Sequence, residues 1–146
     1  MEVFTIGFTK KSAEEFFDLL KRRGVRRLID VRLNNSSQLA GFTKRADLEY
    51  FLRELCGADY THEPLLAPTP ELLDRYKKGG GTWSEYERDF IQLMSERRIE
   101  DHVAPDLLED AVLLCSEPTP ENCHRRLVLD YLQRSWSDTP LTIVHL

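Results

Sequence analysis

The run AVLLC, residues 111–115, is apolar at every position. Side chains of a strand point alternately to opposite faces, so a strand of this composition has to be covered on both sides. A sheet with one solvated face does not meet that demand; helices packed on both faces do. The rest of the chain supplies both kinds of element. EVFTIG (2–7), VRRLIDVRL (25–33), ADYTHE (58–63) and LTIVHL (141–146) read as further strands. Between them lie stretches with helical start and stop signals. Ser12 and Glu15 form a capping box ahead of Phe16, Phe17, Leu19 and Leu20, and Gly24 ends that helix. RADLEYFLRELCG places Leu48, Phe51, Leu52 and Leu55 at helical spacing and stops at Gly57. Thr69 and Pro70 suit a cap and first turn for a helix that runs out at Gly79, and Thr82 with Glu85 opens another helix. Thr119 and Pro120 read as the cap and first turn of a last helix, ENCHRRLVLDYLQRS. Strands alternating with helices predict an α/β fold, a three-layer Rossmann-like sandwich around a mostly parallel, doubly wound sheet, with residues 1–146 forming a single domain.

Charge and cysteine usage narrow the function classes. Twenty basic against 25 acidic residues leave a net charge of −5, which excludes a surface that coats nucleic acid as a whole. Any polyanion site must therefore be local, and basic residues do cluster at 21–27, at Lys44 and Arg45, and at Arg125 and Arg126. The first cluster fits a solvated helix end, where cations are favoured. No 18-residue apolar run occurs and the chain opens on a strand-like segment, so the expectation is a cytoplasmic protein with no membrane partner. The three cysteines, an odd count, predict reduced thiols.

In an open parallel sheet, ligands bind beyond the carboxyl ends of the strands. That rule alone selects Gly7 and Thr9 after the first strand, Asp30, Arg32 and the NNSSQ loop with Ser37 after the second, and Cys115 and Glu117 after the apolar strand. Tyr60 and His62, at a third strand end, are further crevice candidates. Asp30 and Arg32 stand two apart and share a face, with Ile29, Val31 and Leu33 on the other. A buried aspartate needs partners, so Asp30 is either half of a structural ion pair, an acceptor of loop amide bonds, an acid or base, or the group that orients an arginine against an anion.

The stretch LLCSEPTPENCHRRL, 113–127, gathers cysteines, a histidine and arginines near a helix start, where free amides and positive charge suit a phosphate or carboxylate. Arg125 can grip such an anion in a bidentate way. Three chemistries compete for this corner. Cys115, Cys123, His124 and Glu117 are zinc-ligand types. Adjacent helical residues point about 100° apart, however, and the Cys-x7-Cys-His spacing is no standard ligand pattern, so no metal is expected. A cysteine beside a helix start and arginines would be an activated nucleophile, whereas Cys115 in an apolar strand equally suits a small packing residue. Glu117 with His124 is a plausible acid/base pair.

FTIG, LIDVR, Gly41-Phe42, Tyr60 and above all LLCSEPTPENCHRRLV resemble, over nearly the whole chain, the family catalogued as domain of unknown function 488. The resemblance implies a small cytoplasmic prokaryotic α/β protein, and it carries over Asp30, Arg32, Cys115, Glu117, Cys123, His124 and Arg125 as the family's polar motif positions. The chain departs from the pattern in crevice loops. Phe8 and Thr9 follow the first glycine in place of His-Ser, LNNSSQ from Leu33 through Asn34 replaces a loop with proline and Ser-Arg, and LLAP through Ala67 replaces Leu-Gly-Gly. LIDVR with a cysteine ending a later strand is also similar to the rhodanese pattern. There the loop amides cradle a persulfide, and Pro118 and Pro120 remove two such donors here. The leading expectation is an enzyme, hydrolase or transferase, that binds a phosphate-bearing small molecule or nucleic acid through Arg32, Arg125, Gly7, Thr9, Ser37 and Tyr60. Asp30, Glu117, His124, Cys123 and Cys115 are its catalytic candidates, and no cofactor is expected. Rhodanese-like sulfur transfer and a non-catalytic binding module are the alternatives.

Overall fold

The computed structural model describes residues 1–34, 41–117 and 121–146. Its strands are β1 (Glu2–Gly7), β2 (Arg27–Asp30), β3 (Asp59–His62), β4 (Ala111–Cys115) and β5 (Thr142–His145). All pair in parallel, in the order β3-β2-β4-β1-β5. The apolar run is β4, buried at every residue, as a central strand covered on both faces must be.

The helices form where their caps are. In α1 (Ala13–Arg22), Ser12 Oγ accepts from the Glu15 amide at 3.1 Å, and Gly24 closes the turn with φ +66. Then come α2 (Arg45–Phe51), continued by a wider π turn over Leu52–Cys56 to Gly57 at φ 63, and α3 (Pro70–Lys77), capped by Thr69. Thr82 caps α4 (Trp83–Arg97). Two short helices, α5 (Ile99–His102) and α6 (Pro105–Leu108), precede β4, and α7 (His124–Ser135) follows it.

The sheet alternates as its period of two requires. Phe4, Ile6, Leu28, Val112 and Leu114 pack against Phe16, Phe17 and Leu20 of α1 and Leu48 of α2. Val3, Ile29, Leu113 and Cys115 face the other way, toward Tyr86, Phe90 and Met94 of α4 and Leu127 and Val128 of α7. The result is the α/β three-layer sandwich with a parallel sheet that the sequence predicts. Among the described residues, no helix is long and apolar enough to cross a membrane.

Three local expectations need correction. β2 spans Arg27–Asp30 rather than 25–33, because beyond Asp30 the chain turns its polar groups to side-chain partners. The last helix begins at His124, with Cys123 in the capping position (φ −136, ψ 138), not at Thr119; Thr119 and Pro120 themselves lie outside the described residues. Reduced thiols throughout do not hold either, since Cys115 and Cys123 are bonded to each other and only Cys56 is free. The end of β4 and the cap of α7 meet at one corner and bring the two sulfurs together.

Strand order fixes where a site can form. From β2 the chain moves outward to β3; from β4 it leaves in the opposite direction, through α7 to β5 beyond β1. The two exits part and open a crevice at the carboxyl ends of β2 and β4.

Candidate functional site

Asp30, the last residue of β2, is fully buried, and its carboxylate is saturated. Oδ1 accepts from the Arg32 amide at 3.1 Å and from Arg32 Nε at 2.8 Å. Oδ2 accepts from Arg32 Nη2 at 2.8 Å and from the Tyr60 hydroxyl at 2.6 Å. Four donors fill the four acceptor positions of a carboxylate, leaving none for a substrate proton. The Arg32 guanidinium is held by this fork, by the Thr43 carbonyl at 2.7 Å and by the Phe8 ring, 5.5 Å from its centroid. Its remaining nitrogen, Nη1, is buried and has no hydrogen-bond partner among the described residues.

Several other motif side chains are spent on backbone carbonyls. Against a carbonyl oxygen a histidine nitrogen can only donate, so His124 donates from Nε2 to the Val31 carbonyl at 2.6 Å and His62 from Nε2 to the Arg32 carbonyl at 3.0 Å. These two bonds fix the exit of β2. The exit of β4 is pinned by Thr9, whose hydroxyl and amide both donate to the Ser116 carbonyl, and by Arg125, whose Nη1 donates to the Glu117 carbonyl at 2.7 Å. Gly7 is required by closeness here: a Cβ on it would lie 1.5 Å from the Glu117 oxygen and 2.8 Å from Arg125 Nη1.

Arg125 is also fully buried, yet no carboxylate touches it. Nη1 donates to Cys115 Sγ at 3.2 Å as well as to the Glu117 carbonyl, and Nε and Nη2 have no partner among the described residues. Burial pushes its guanidinium down to about 10, against the pull of the Glu117 and Glu121 charges. Burial likewise pushes His124 down to about 4, with the Val31 carbonyl opposing and the Arg125 charge adding to the drop, so the imidazole is neutral at pH 7. The sulfurs of Cys115 and Cys123 and a ring nitrogen of His124 all lie within 4.8 Å of one another.

Between the exits of β2 and β4 and the start of α4 is a cavity of about 210 Å³. Arg32, Asn34, Cys115, Ser116, Glu117, Asn122, Cys123 and His124 line its polar side. Opposite stands an aromatic wall of Tyr76, Trp83 and Tyr86, with Trp83 stacked on Tyr86 at 5.2 Å between centroids. Lys77 and Glu117, both partly exposed, pair at 2.8 Å on the same lining.

Of the residues singled out in the sequence, Arg32, Cys115, Glu117, Cys123 and His124 line one cavity. Asp30 and Tyr60 support Arg32 from behind, while Gly7, Thr9 and Arg125 sit behind the β4 exit and hold its carbonyls. Ser37 lies outside the described residues. The aromatic wall and Lys77 escape a reading by motif. Their one sequence signal is the spacing of Tyr76, Trp83 and Tyr86 around KKGGGT, which reverses the chain between α3 and α4.

No curated protein and no solved structure matches the chain. The model of a domain of unknown function, DUF488, matches residues 12–132, from the cap of α1 to the core of α7, leaving β1 and β5 outside the match. With its Asp-Val-Arg and Cys-His-Arg segments inside that span, the chain belongs to the DUF488 family.

Proposed function

We propose that the cavity receives a phosphate-bearing ligand with an aromatic ring, a nucleotide in chemical class, and that the protein is an enzyme acting on it as a hydrolase or transferase. The observation that carries this reading is Arg32. A guanidinium that is 5% exposed and locked in orientation by a saturated carboxylate has a buried Nη1 with no partner among the described residues, and Arg32 lines the cavity. A buried donor without an acceptor costs about 1–3 kcal/mol, a cost that an anionic ligand would remove. The first amides of α7 are supported as a second anchor by His124 and Cys123, which line the same space. The Tyr76–Trp83–Tyr86 wall offers a stacking partner for a ring. Asp30 in this reading orients Arg32, and Glu117, on the cavity lining, is the acid/base candidate it retains.

Trp83 provides the assay. Titration with inorganic phosphate and nucleoside monophosphates is expected to quench its fluorescence, and Arg32→Lys, which keeps the charge and loses the fork, is expected to weaken binding by about 10- to 100-fold. No quenching by any of them, or equal affinity in the variant, sinks the proposal.

A second reading, sulfur transfer by a cysteine, is favoured by one observation, the meeting of Cys115 and Cys123 with Arg125 Nη1 3.2 Å from Cys115 Sγ. It requires one of them, once reduced and metal-free, to take iodoacetamide quickly at neutral pH. Slow alkylation of both removes it.

A further inference from the structure

We propose that Cys115 Sγ, Cys123 Sγ and His124 Nδ1 form, when the cysteines are reduced, a site for a tetrahedral divalent metal ion of the zinc type. The inference goes beyond the nucleotide reading; it shares Cys123 and His124 with that reading and uses none of Arg32, the aromatic wall or Lys77.

The two obstacles visible in the sequence disappear in the fold. Adjacent residues diverge by about 100° only when both are helical. Cys123 is the extended cap of α7 (φ −136, ψ 138), so its side chain is not bound to the helical wheel that His124 begins. The odd Cys-x7-Cys-His spacing matters no more, because the first cysteine ends a strand and the other two ligands open the next helix. The two sulfurs and a ring nitrogen of His124 come within 4.8 Å of one another.

The surroundings are those of a metal site. His124 donates from Nε2 to the Val31 carbonyl, which assigns its proton there and leaves the Nδ1 lone pair free. Metal-bound histidines usually have this arrangement, with the far N–H on a carbonyl. The Arg125 Nη1–H at 3.2 Å from Cys115 Sγ is an outer hydrogen bond that steadies a thiolate. Two thiolates balance a divalent charge, and with three protein ligands a fourth position remains on the cavity side.

Backbone spacing points the same way. The Cα atoms of Cys115 and Cys123 are 7.5 Å apart, whereas disulfides usually span about 4.4–6.8 Å. A tetrahedral ion with bonds of about 2.3 Å holds two sulfurs about 3.8 Å apart, which lets the backbones stand wider. The two states share atoms and exclude each other. A phosphine reductant with water breaks the S–S bond, supplying two electrons and two protons and leaving as its oxide; the two thiols then bind the ion and release both protons.

The test uses the full chain, reduced with a phosphine, freed of reductant without air and titrated with Co²⁺. Expected are tetrahedral d–d bands and thiolate-to-cobalt charge-transfer absorption that saturate at one ion per chain and vanish when Zn²⁺ is added. Cys115→Ser and Cys123→Ser should each lose part of the charge-transfer band, and His124→Ala should bind at least about 10-fold more weakly. Cys56→Ser should leave the spectrum unchanged. Should a variant fail to fold, the wild-type chain still decides: Zn²⁺ must protect Cys115 and Cys123, but not Cys56, from iodoacetamide, as read by mass spectrometry. An octahedral cobalt spectrum in the reduced wild type, or alkylation of both cysteines unaffected by Zn²⁺, overturns the proposal. Nucleotide binding is read separately, by Trp83 fluorescence of the metal-free chain.

Discussion

Arg32 and Arg125 are both buried at the carboxyl end of the same sheet, and they are stabilised in different ways. Arg32 meets the Asp30 carboxylate through two nitrogens at 2.8 Å. Among the described residues Arg125 donates to a carbonyl and a sulfur, and the charges of Glu117 and Glu121 act on it without a hydrogen bond. Desolvation is costly for both guanidiniums, but a bidentate carboxylate offsets it at Arg32 alone. The difference separates two uses of a buried cation. One is held rigidly with a nitrogen that no described residue pairs, the other is a brace for the loop after β4.

The comparison breaks most visibly at Asp30. Asp30→Asn should cost about 3–5 kcal/mol in chemical denaturation, because the Arg32 charge stays buried without its counter-ion. If the loss is below about 1 kcal/mol, the pair is not what stabilises Arg32. The brace is tested next. In Gly7→Ala the new methyl overlaps the Glu117 carbonyl, so the exit of β4 must shift, at about 1–3 kcal/mol, with faster hydrogen exchange at Ser116 and Glu117. An unchanged melting curve would show that the loop is free to move. Arg125→Met keeps the length and removes a charge that has no carboxylate partner. It should cost only about 1 kcal/mol, mainly the orphaned Glu117 carbonyl, and a loss as large as that of Asp30→Asn would erase the distinction between the two arginines. Lys77→Ala removes a partly exposed ion pair and should change stability by less than about 1 kcal/mol, leaving any effect to ligand binding.

The site was unevenly legible. Caps at Ser12, Thr69 and Thr82 and the stop at Gly57 depend on neighbours a few residues away, and each stands where the residue pattern puts it. The start of the last helix is read too early because Thr119-Pro120 carries a capping signal, while the helix begins at His124 behind an extended Cys123. The metal-site proposal rests on that shift of a few residues, since it frees Cys123 from the helical wheel. Asp30 with Arg32 was legible as a same-face pair; Tyr60 as its third partner was not, because β3 lies beside β2 only through the sheet register Leu28 to Tyr60.

The order of residues alone therefore settled the α/β class, the central position of β4 and most helix boundaries, since hydrophobic period and capping act over one or two turns. Tertiary structure decided which motif residues face the cavity and which brace it. His124 reaches the Val31 carbonyl across 93 positions and Thr9 the Ser116 carbonyl across 107, and contacts at such separations depend on strand order, which no local pattern encodes.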